Sequence, residues 1–383
     1  MRKALVIVVV VVLLSIGIVG GLALGRMNAF GWSEADLVRP SAGTLETPSN
    51  SIPGPLTSSY RSSHWGLEWL LSEIYVTYGG VAWVSLSNTG TSPLFVYGLS
   101  MQWEGTNIIS SRDADALVQP GETVEIGLLS FHAPSSEGNY PYSIELMLAV
   151  GHPNGDWYDQ GSTLIEGHEA WVLEQSSSIN FTSYHNSPQY FNRINALVDF
   201  SVTGSIAQEV QDRFPGNYSI LQVVDGYEWV RRNIEYVADS EDNWQSANET
   251  ITSKRGDCED HAILLASLIG EIGGNARVNI IEGHAFPTVF IGDNVSDVQS
   301  VRSSIASYYW VDETDLHLTY LEDESGLWLV IDPVGMPFAG GLPSLSAPST
   351  SGIWSDDWTY KSATWCHMID ATGGSDGRLL PFL

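Results

Sequence analysis

Three residues that lie far apart in the 383-residue chain have the types needed for catalysis by a cysteine. Cys258 stands at the predicted start of a helix, where unsatisfied N–H groups and the helix dipole favour the thiolate, the reactive form of the side chain. His284 closes one predicted strand and opens the next, and Asp332 ends a later strand. A nucleophile, a base and a carboxylate that orients the base are the parts of a triad for acyl transfer through a thioester.

The acidic residues around Cys258 act against this chemistry. Asp257, Glu259 and Asp260 disfavour a negative charge on the sulfur, so a thiolate there would need an imidazolium beside it. His261 lies one helical turn after Cys258 and is the alternative base. A residue on the same helix is poorly placed to face both the thiol and a substrate, so we prefer the distant histidine.

Other interpretations of these residues remain open at this point. Asp312, in the sequence Trp-Val-Asp-Glu, is the alternative carboxylate for orienting the base. A zinc site is disfavoured because the chain has no Cys-x-x-Cys pair and structural zinc needs four well-spaced ligands. The acid-rich loops leave calcium open, although no EF-hand pattern is present. With no glycine-rich phosphate loop and no dinucleotide fingerprint, we predict neither a resident metal nor a cofactor.

The elements that must position the triad follow from the periodicity. Apolar residues recur at three- and four-residue steps over 220–237, which predicts an amphipathic helix, and a second helix is predicted over 258–272, ending at two glycines. The runs ARVNIIEG, HAFPTVFIG and WLVIDPV predict strands. For the oxyanion of the reaction, the backbone N–H of Cys258 is the natural first donor. Trp244 and Gln245, which precede the second helix, are the candidates for the second donor.

Residues 206–335 resemble the transglutaminase-like superfamily, in the papain-like class of cysteine enzymes. The resemblance rests on RGDCEDHAILLASLIGEIGGNARV, GHAF and WLVIDP, and on the preceding helix YEWVRRNIEYVAD. It implies an α+β catalytic domain in which Cys258, His284 and Asp332 form the triad. The GDCED form is most similar to archaeal and bacterial members. Family members often have Trp or Tyr soon after the histidine; here a phenylalanine and Pro287 follow, and the proline bears on the strand geometry.

The N-terminus predicts a membrane anchor. Residues 4–24 carry no charge, and as a helix they would span about 30 Å, the thickness of a hydrocarbon core. Arg2 and Lys3 precede this run and Arg26 alone follows it, so the bulk of the chain is expected outside the cell. We therefore predict an uncleaved transmembrane helix over 1–25; cleavage would instead give a secreted protein.

The middle of the chain predicts an all-β unit. Short alternating apolar runs separated by turn signals resemble the immunoglobulin-like β-sandwich modules of prokaryotic surface proteins, which implies a spacer or adhesion role. Exposed aromatics such as Trp157 and Trp171 leave carbohydrate binding open as an alternative. The predicted organisation is an anchor at 1–25, a flexible stalk at 26–62, a β-sandwich at 63–175, a connector at 176–205, a catalytic domain at 206–340 and a loose tail at 341–383.

Charge and cysteine content narrow the function. The chain has 45 acidic and 16 basic residues and a net charge of −29, which excludes a general nucleic-acid binder because a polyanion would be repelled. Its two cysteines are not a disulfide framework, and we expect Cys258 and Cys366 to be unbonded. The expected fold class is α+β, with the sandwich as a separate all-β domain. We expect hydrolysis of a peptide or cell-envelope protein; the alternatives are a protein-crosslinking transglutaminase and a non-catalytic binding or scaffold protein.

Overall fold

The structure, a computed structural model, describes residues 31–47, 50–72, 74–76, 79–174, 181–238, 243–334, 338–341 and 363–373. Within these ranges the chain is α+β. The helices are α1 Pro188–Leu197, α2 Gly204–Arg213, α3 Ile220–Asn233, α4 Ala247–Ser253, α5 Cys258–Glu271 and α6 Val295–Tyr309. The strands are β1 Trp65–Leu71, β2 Ile74–Tyr75, β3 Gly80–Asn88, β4 Leu94–Trp103, β5 Ile109–Val118, β6 Thr123–Phe131, β7 Gly138–Gly151, β8 Trp157–Leu173, β9 Thr182–His185, β10 Glu235–Tyr236, β11 Arg255–Gly256, β12 Ala276–Ile281, β13 His284–Gly292, β14 Tyr320–Asp323, β15 Gly326–Val330 and β16 Trp365–Asp370.

The first eight strands form two sheets that share one core. A three-stranded sheet has the order β1-β3-β6, and a five-stranded sheet has the order β2-β8-β7-β4-β5. Trp103 is fully buried between them, and its indole N–H donates to the carbonyl of His132 at 2.7 Å. Trp157 was expected to be exposed but is 7% exposed and packs on Phe95, whereas Trp171 is 60% exposed. Burial of Trp157 removes it from any carbohydrate-binding surface. The immunoglobulin-like identity of this unit stays a prediction.

The remaining strands build a second unit around a six-stranded sheet. Its order is β14-β15-β13-β12-β16-β9, and helix α5 packs on β13 and β12. Helix α5 is buried on nearly all sides, since every residue from Glu259 to Ile269 is buried and its apolar side chains belong to one large core. The predicted helix over 258–272 and the strands around His284 are confirmed. Pro287 lies within β13 opposite Val278, so the proline leaves the strand continuous.

Both segments that flank the expected catalytic domain contribute to its sheet. Strand β16, from the expected tail, lies between β12 and β9, and β9 comes from the expected connector. Helix α1 packs beside them, with the Asn195 side chain donating to the carbonyl of Asp370 at 3.0 Å. The sequence of β16 is short and its pairing partner β12 lies about ninety residues earlier, so periodicity alone did not indicate the contact.

Residues 31–47 differ from the expected flexible stalk. They run across the second unit and bind it through backbone N–H groups: Val38 N–H donates to Asn275 Oδ1 at 2.7 Å, and Gly43 N–H donates to Ser304 Oγ at 3.1 Å. Farther along, the N–H of Trp157 donates to the Pro55 carbonyl at 2.7 Å. The Ser-, Gly- and Pro-rich composition was typical of a linker, but such segments can also be ordered when a folded surface satisfies their backbone groups.

The two units contact each other directly. Arg231 of α3 forms an ion pair with Glu125 of β6 at 2.8 Å, and Arg112 of β5 donates to the carbonyl of Tyr309 at 3.2 Å. Leu128 of β6 is buried in the core of the second unit. The sandwich is therefore packed on the second unit through both apolar and charged contacts.

In the part of the chain that the structure describes, no helix is long and apolar enough to cross a membrane. The predicted anchor at 1–25 lies outside the described residues.

Candidate active site

The start of α5 is built by a short acidic loop. Gly256 is required there because a side-chain Cβ would come within 2.5 Å of the Cβ of Asp260. The N–H of Asp257, which precedes the helix, donates to Asp260 Oδ2 at 3.3 Å. Cys258 is the first helical residue, so its own N–H has no partner within the helix ladder.

Asp260 also ties the preceding loop to the helix. The backbone N–H of Gln245 donates to Asp260 Oδ1 at 2.7 Å, and the Gln245 side-chain amide donates to Asp260 Oδ2 at 2.8 Å. Burial raises the pKa of Asp260 to about 6. The hydrogen bonds from Gln245 act in the opposite direction, because they favour the carboxylate. The loop that carries Trp244 is therefore held next to the start of α5.

His284 and Asp332 form a buried pair at the end of the sheet. Nε2 of His284 lies 2.8 Å from Asp332 Oδ2, and both side chains are 0% exposed. The other carboxylate oxygen accepts the N–H of Val334 at 3.0 Å, which fixes the aspartate. When neutral His284 donates from Nε2 to Asp332, Nδ1 is the basic nitrogen of the ring. The hairpin in which Ile281 pairs with His284 sets the position of the histidine.

The Cys258 thiol lies against the strand that carries His284. Its sulfur accepts a hydrogen bond from the N–H of Ala285, and the thiol donates to Glu259 Oε2 at 3.1 Å. Burial raises the pKa of the Cys258 thiol well above its usual value, and the charge of Glu259 and its hydrogen bond raise it further. The start of a helix was expected to favour the thiolate. Here burial and the neighbouring carboxylate outweigh that effect, so the resting thiol keeps its proton.

Comparison with known families decides the identity of this unit. A family model for the transglutaminase-like superfamily matches residues 205–333. Residues 205–333 are a transglutaminase-like domain. The match contains Cys258, His284 and Asp332 and confirms the family resemblance seen in the sequence. A search of curated proteins found no match to the chain.

The alternative base and carboxylate have other partners in the transglutaminase-like domain. His261 is buried, with Nδ1 2.7 Å from the Asp257 carbonyl and Nε2 3.3 Å from the Ile234 carbonyl. Burial lowers the pKa of His261, and the ring joins α5 to the end of α3. Asp312 lies in the loop after α6, where its carboxylate accepts from the N–H and hydroxyl of Thr314 at 2.9 and 2.7 Å. It is Asp332, and not Asp312, that contacts His284.

The two candidates for the second oxyanion donor lie in the loop that precedes α4. Trp244 stacks with Tyr190 at 6.3 Å between ring centroids, and the Arg193 guanidinium lies 3.7 Å from the Trp244 ring. The side-chain amide of Gln245 is used by Asp260 and lies 3.4 Å from the Arg255 carbonyl. Both residues are close in sequence to the start of α5, and their oxyanion role stays a prediction.

Neither cysteine is in a disulfide. Cys366 is fully buried in β16, and burial raises its pKa to about 12. Within the described ranges, no group of three or more His, Cys, Asp or Glu side chains is arranged to hold a metal ion.

Proposed function

We propose that this protein is a cysteine enzyme that transfers acyl groups through a thioester at Cys258 and that its main reaction is hydrolysis of peptide or amide bonds. The observation that supports this proposal most directly is the buried His284–Asp332 pair at 2.8 Å, together with the contact of the Cys258 sulfur with Ala285, the residue after His284. A base oriented by a carboxylate, next to a cysteine at the start of a helix, is the arrangement that activates a nucleophile.

Acylation begins from a neutral thiol in this arrangement. As the Cys258 sulfur attacks the carbonyl carbon of an amide, the thiol proton passes to Nδ1 of His284. The carboxylate of Asp332 stabilises the imidazolium that results. The carbonyl oxygen becomes an oxyanion, which the N–H of Cys258 is placed to stabilise. The C–N bond then breaks, the leaving amine takes the proton from His284, and a thioester remains on Cys258.

Water completes the reaction in the proposed hydrolase. His284 removes a proton from the water as it attacks the thioester, and the sulfur leaves with that proton as a thiol. The products are a carboxylic acid and the free enzyme, and no cofactor takes part. A substrate amine in place of water would give a crosslinked amide, and this is the alternative activity. We favour water because it is always present and because a transferase also needs an amine-binding site.

Mass spectrometry of the purified chain with pooled peptide substrates tests this proposal. We expect a covalent acyl adduct on the peptide that contains Cys258, and cleavage that Cys258→Ala abolishes while the circular dichroism spectrum is unchanged. The matched control is Cys366→Ser, which should form the same adduct. Turnover that survives Cys258→Ala would contradict the proposal, and the absence of any adduct or cleavage would favour the binding or scaffold alternative.

We further propose that the protein is anchored in the membrane by residues 1–25 and faces outward, where peptides or cell-envelope proteins are its substrates. The uncharged run at 4–24 and the position of Arg2 and Lys3 before it support this orientation. Protease added to intact cells should digest the domains but not the extreme N-terminus. Protection of the whole chain would overturn this location, and a mature N-terminus near Asn28 would show cleavage instead.

A further inference from the structure

Five side chains form a partly exposed aromatic patch beside the transglutaminase-like active site. The patch comprises Tyr184, Tyr190, Trp244, Trp365 and His367, and Tyr184 is its most exposed member at 47%. The ring of His367 is at the centre, with ring centroids 4.9 Å from Tyr184, 4.7 Å from Tyr190 and 5.2 Å from Trp365. Trp244 is a candidate for the second oxyanion donor, and no step of the proposed chemistry uses the other four side chains.

The register of the sheet connects the patch to the nucleophile. Ala285, whose N–H contacts the Cys258 sulfur, is paired with Ile280 of β12. Ile280 is paired with His367 of β16, and His367 with Tyr184 of β9. Directly paired residues lie side by side across a sheet, and neighbouring strands are about 4.8 Å apart. His367 therefore lies about 10 Å from Ala285 along this row, and Tyr184 about 14 Å from it.

A second connection reaches the patch from the other side. Trp244 precedes Gln245, whose amide holds Asp260 two residues after the nucleophile. Trp244 stacks with Tyr190 of α1 at an interplanar angle of 10°, and Tyr190 also contacts His367. The patch is therefore continuous from the loop at the start of α5 to the edge strand β9.

The rings are arranged to hold a single flat side chain better than an extended row of sugar rings. Around His367 the planes of Tyr184, Tyr190 and Trp365 are inclined by 24°, 51° and 64°, so the rings are not coplanar. Ser187 Oγ lies 2.7 Å from His367 Nδ1 and orients the imidazole. Burial lowers the pKa of His367, which favours the neutral ring. Inclined neutral rings offer both edge-to-face and stacked contacts to an aromatic ligand.

We infer that the aromatic patch is the specificity subsite of the proposed enzyme and that it binds an aromatic side chain of an extended peptide substrate. This inference rests on the proposed function for the identity of the substrate as a peptide. An extended chain advances about 3.3 Å per residue, so a residue three to four positions from the scissile amide reaches the distance of His367 and Tyr184. The preferred substrate therefore carries Phe, Tyr or Trp at that distance from the cleaved bond.

Binding to the full-length Cys258→Ala chain tests the subsite without any turnover. The probes are two capped nonapeptides, one with four Gly residues on each side of a central Phe and the other with Leu in place of Phe, titrated by NMR or tryptophan fluorescence. We expect the Phe peptide to bind about 3- to 10-fold more tightly, the range that aromatic pairs contribute. Tyr184→Ala in the same background should remove this preference. Tyr184 is half-exposed on an edge strand, so the fold should survive its truncation.

The matched control is Trp171→Ala, which truncates an exposed aromatic side chain of the sandwich and should keep the preference. Equal binding of the two peptides, or a preference that survives Tyr184→Ala, would overturn the subsite. Tighter binding of chitotetraose than of either peptide would also overturn it in favour of a sugar platform. A Phe preference without turnover by the wild-type chain would support the subsite and contradict acyl transfer. Turnover without any Phe preference would support acyl transfer and contradict the subsite.

Discussion

At the scale of residues, the Cys258 sulfur has two contacts that shift its pKa in opposite directions. The N–H of Ala285 lowers the thiol pKa, whereas Glu259, 3.1 Å away and 6% exposed, raises it. Burial acts in the same direction as Glu259, so both raise the pKa of the thiol and favour its protonated form. In the proposed reaction, proton transfer to His284 then has to accompany the attack on the substrate, so the orientation of His284 is decisive.

Replacing Glu259 with Gln tests this balance. The carboxylate raises the pKa of the Cys258 thiol, so its removal should lower that pKa and increase the thiolate fraction at any given pH. We expect the pH profile of iodoacetamide alkylation at Cys258, measured in a Cys366→Ser background, to move to lower pH. Glu235→Gln is the control, because Glu235 is exposed and its replacement should leave the profile unchanged. A profile that stays in place in Glu259→Gln would show that Glu259 does not hold the thiol proton.

The Asp332→Asn change tests the orientation of the base. An amide can donate to Nε2 of His284 and so stabilise the wrong tautomer, which would leave Nδ1 protonated and unable to accept from the thiol. By analogy with serine-protease triads, we expect kcat to fall by about 10³- to 10⁴-fold with little change in KM. The asparagine side chain has nearly the size of aspartate and would stay buried without a charge, so the thermal midpoint should change much less than kcat. Near-normal kcat in Asp332→Asn would refute the triad.

At the scale of elements, the sheet of the transglutaminase-like domain depends on a strand outside residues 205–333. Strand β16 lies between β12 and β9, and Ile369, its penultimate residue, is 0% exposed. Asp370, at its end, accepts Arg277 Nε at 2.7 Å, and Arg277 is 5% exposed. The family match therefore covers Cys258, His284 and Asp332 but not the whole sheet.

A chain that ends at residue 340 tests the contribution of β16. Its loss would leave the hydrogen-bonding edge of β12 without its partner strand and would remove Asp370 from the buried Arg277, which among the described residues keeps only Asp323 as an ion-pair partner. We therefore expect a chain that does not fold cooperatively. The full-length Ile369→Asp variant is a second test, since burying a charge there should lower the thermal midpoint strongly. Its control is Ser183→Asp on the exposed strand β9. Wild-type melting of the truncated chain would restore 340 as the domain boundary.

At the scale of the whole molecule, the sandwich and the transglutaminase-like domain share a charged cluster. Arg231 is 14% exposed and lies 2.8 Å from both Glu125 of the sandwich and Glu228 of its own helix. Glu228 is buried and also accepts the hydroxyl of Tyr309 at 2.7 Å. Arg232 makes further contacts to both carboxylates at 3.1 Å. The same two arginines therefore hold Glu125 of the sandwich and compensate the buried charge of Glu228 in α3.

The Arg231→Met variant tests the charged cluster. Methionine keeps most of the side-chain volume but leaves Glu228 buried with one guanidinium fewer, so we expect a loss of about 2 kcal/mol in the free energy of unfolding by urea. Arg39→Met is the control, because its ion pair with Asp293 is exposed and should contribute less than about 1 kcal/mol. Equal effects of the two substitutions would show that the cluster does not stabilise the contact.

The sequence by itself determined the local elements and the chemical types at the site. The helix from Cys258 and the strand from His284 were predicted, since each depends on short-range periodicity that is visible without tertiary information. The family was predicted from short sequence motifs and is confirmed by the match over 205–333.

Only the tertiary structure decided which distant segments meet. Residues 31–47 have a composition typical of a linker, and strand β16 lies in the segment expected to be a loose tail. Both are ordered because the domain satisfies their backbone groups. The structure shows that Asp332, and not Asp312, contacts His284. Asp332 lies 48 residues after the histidine in sequence. The pKa of the Cys258 thiol is raised by burial and by Glu259. Burial depends on residues from many parts of the chain that only the fold brings together.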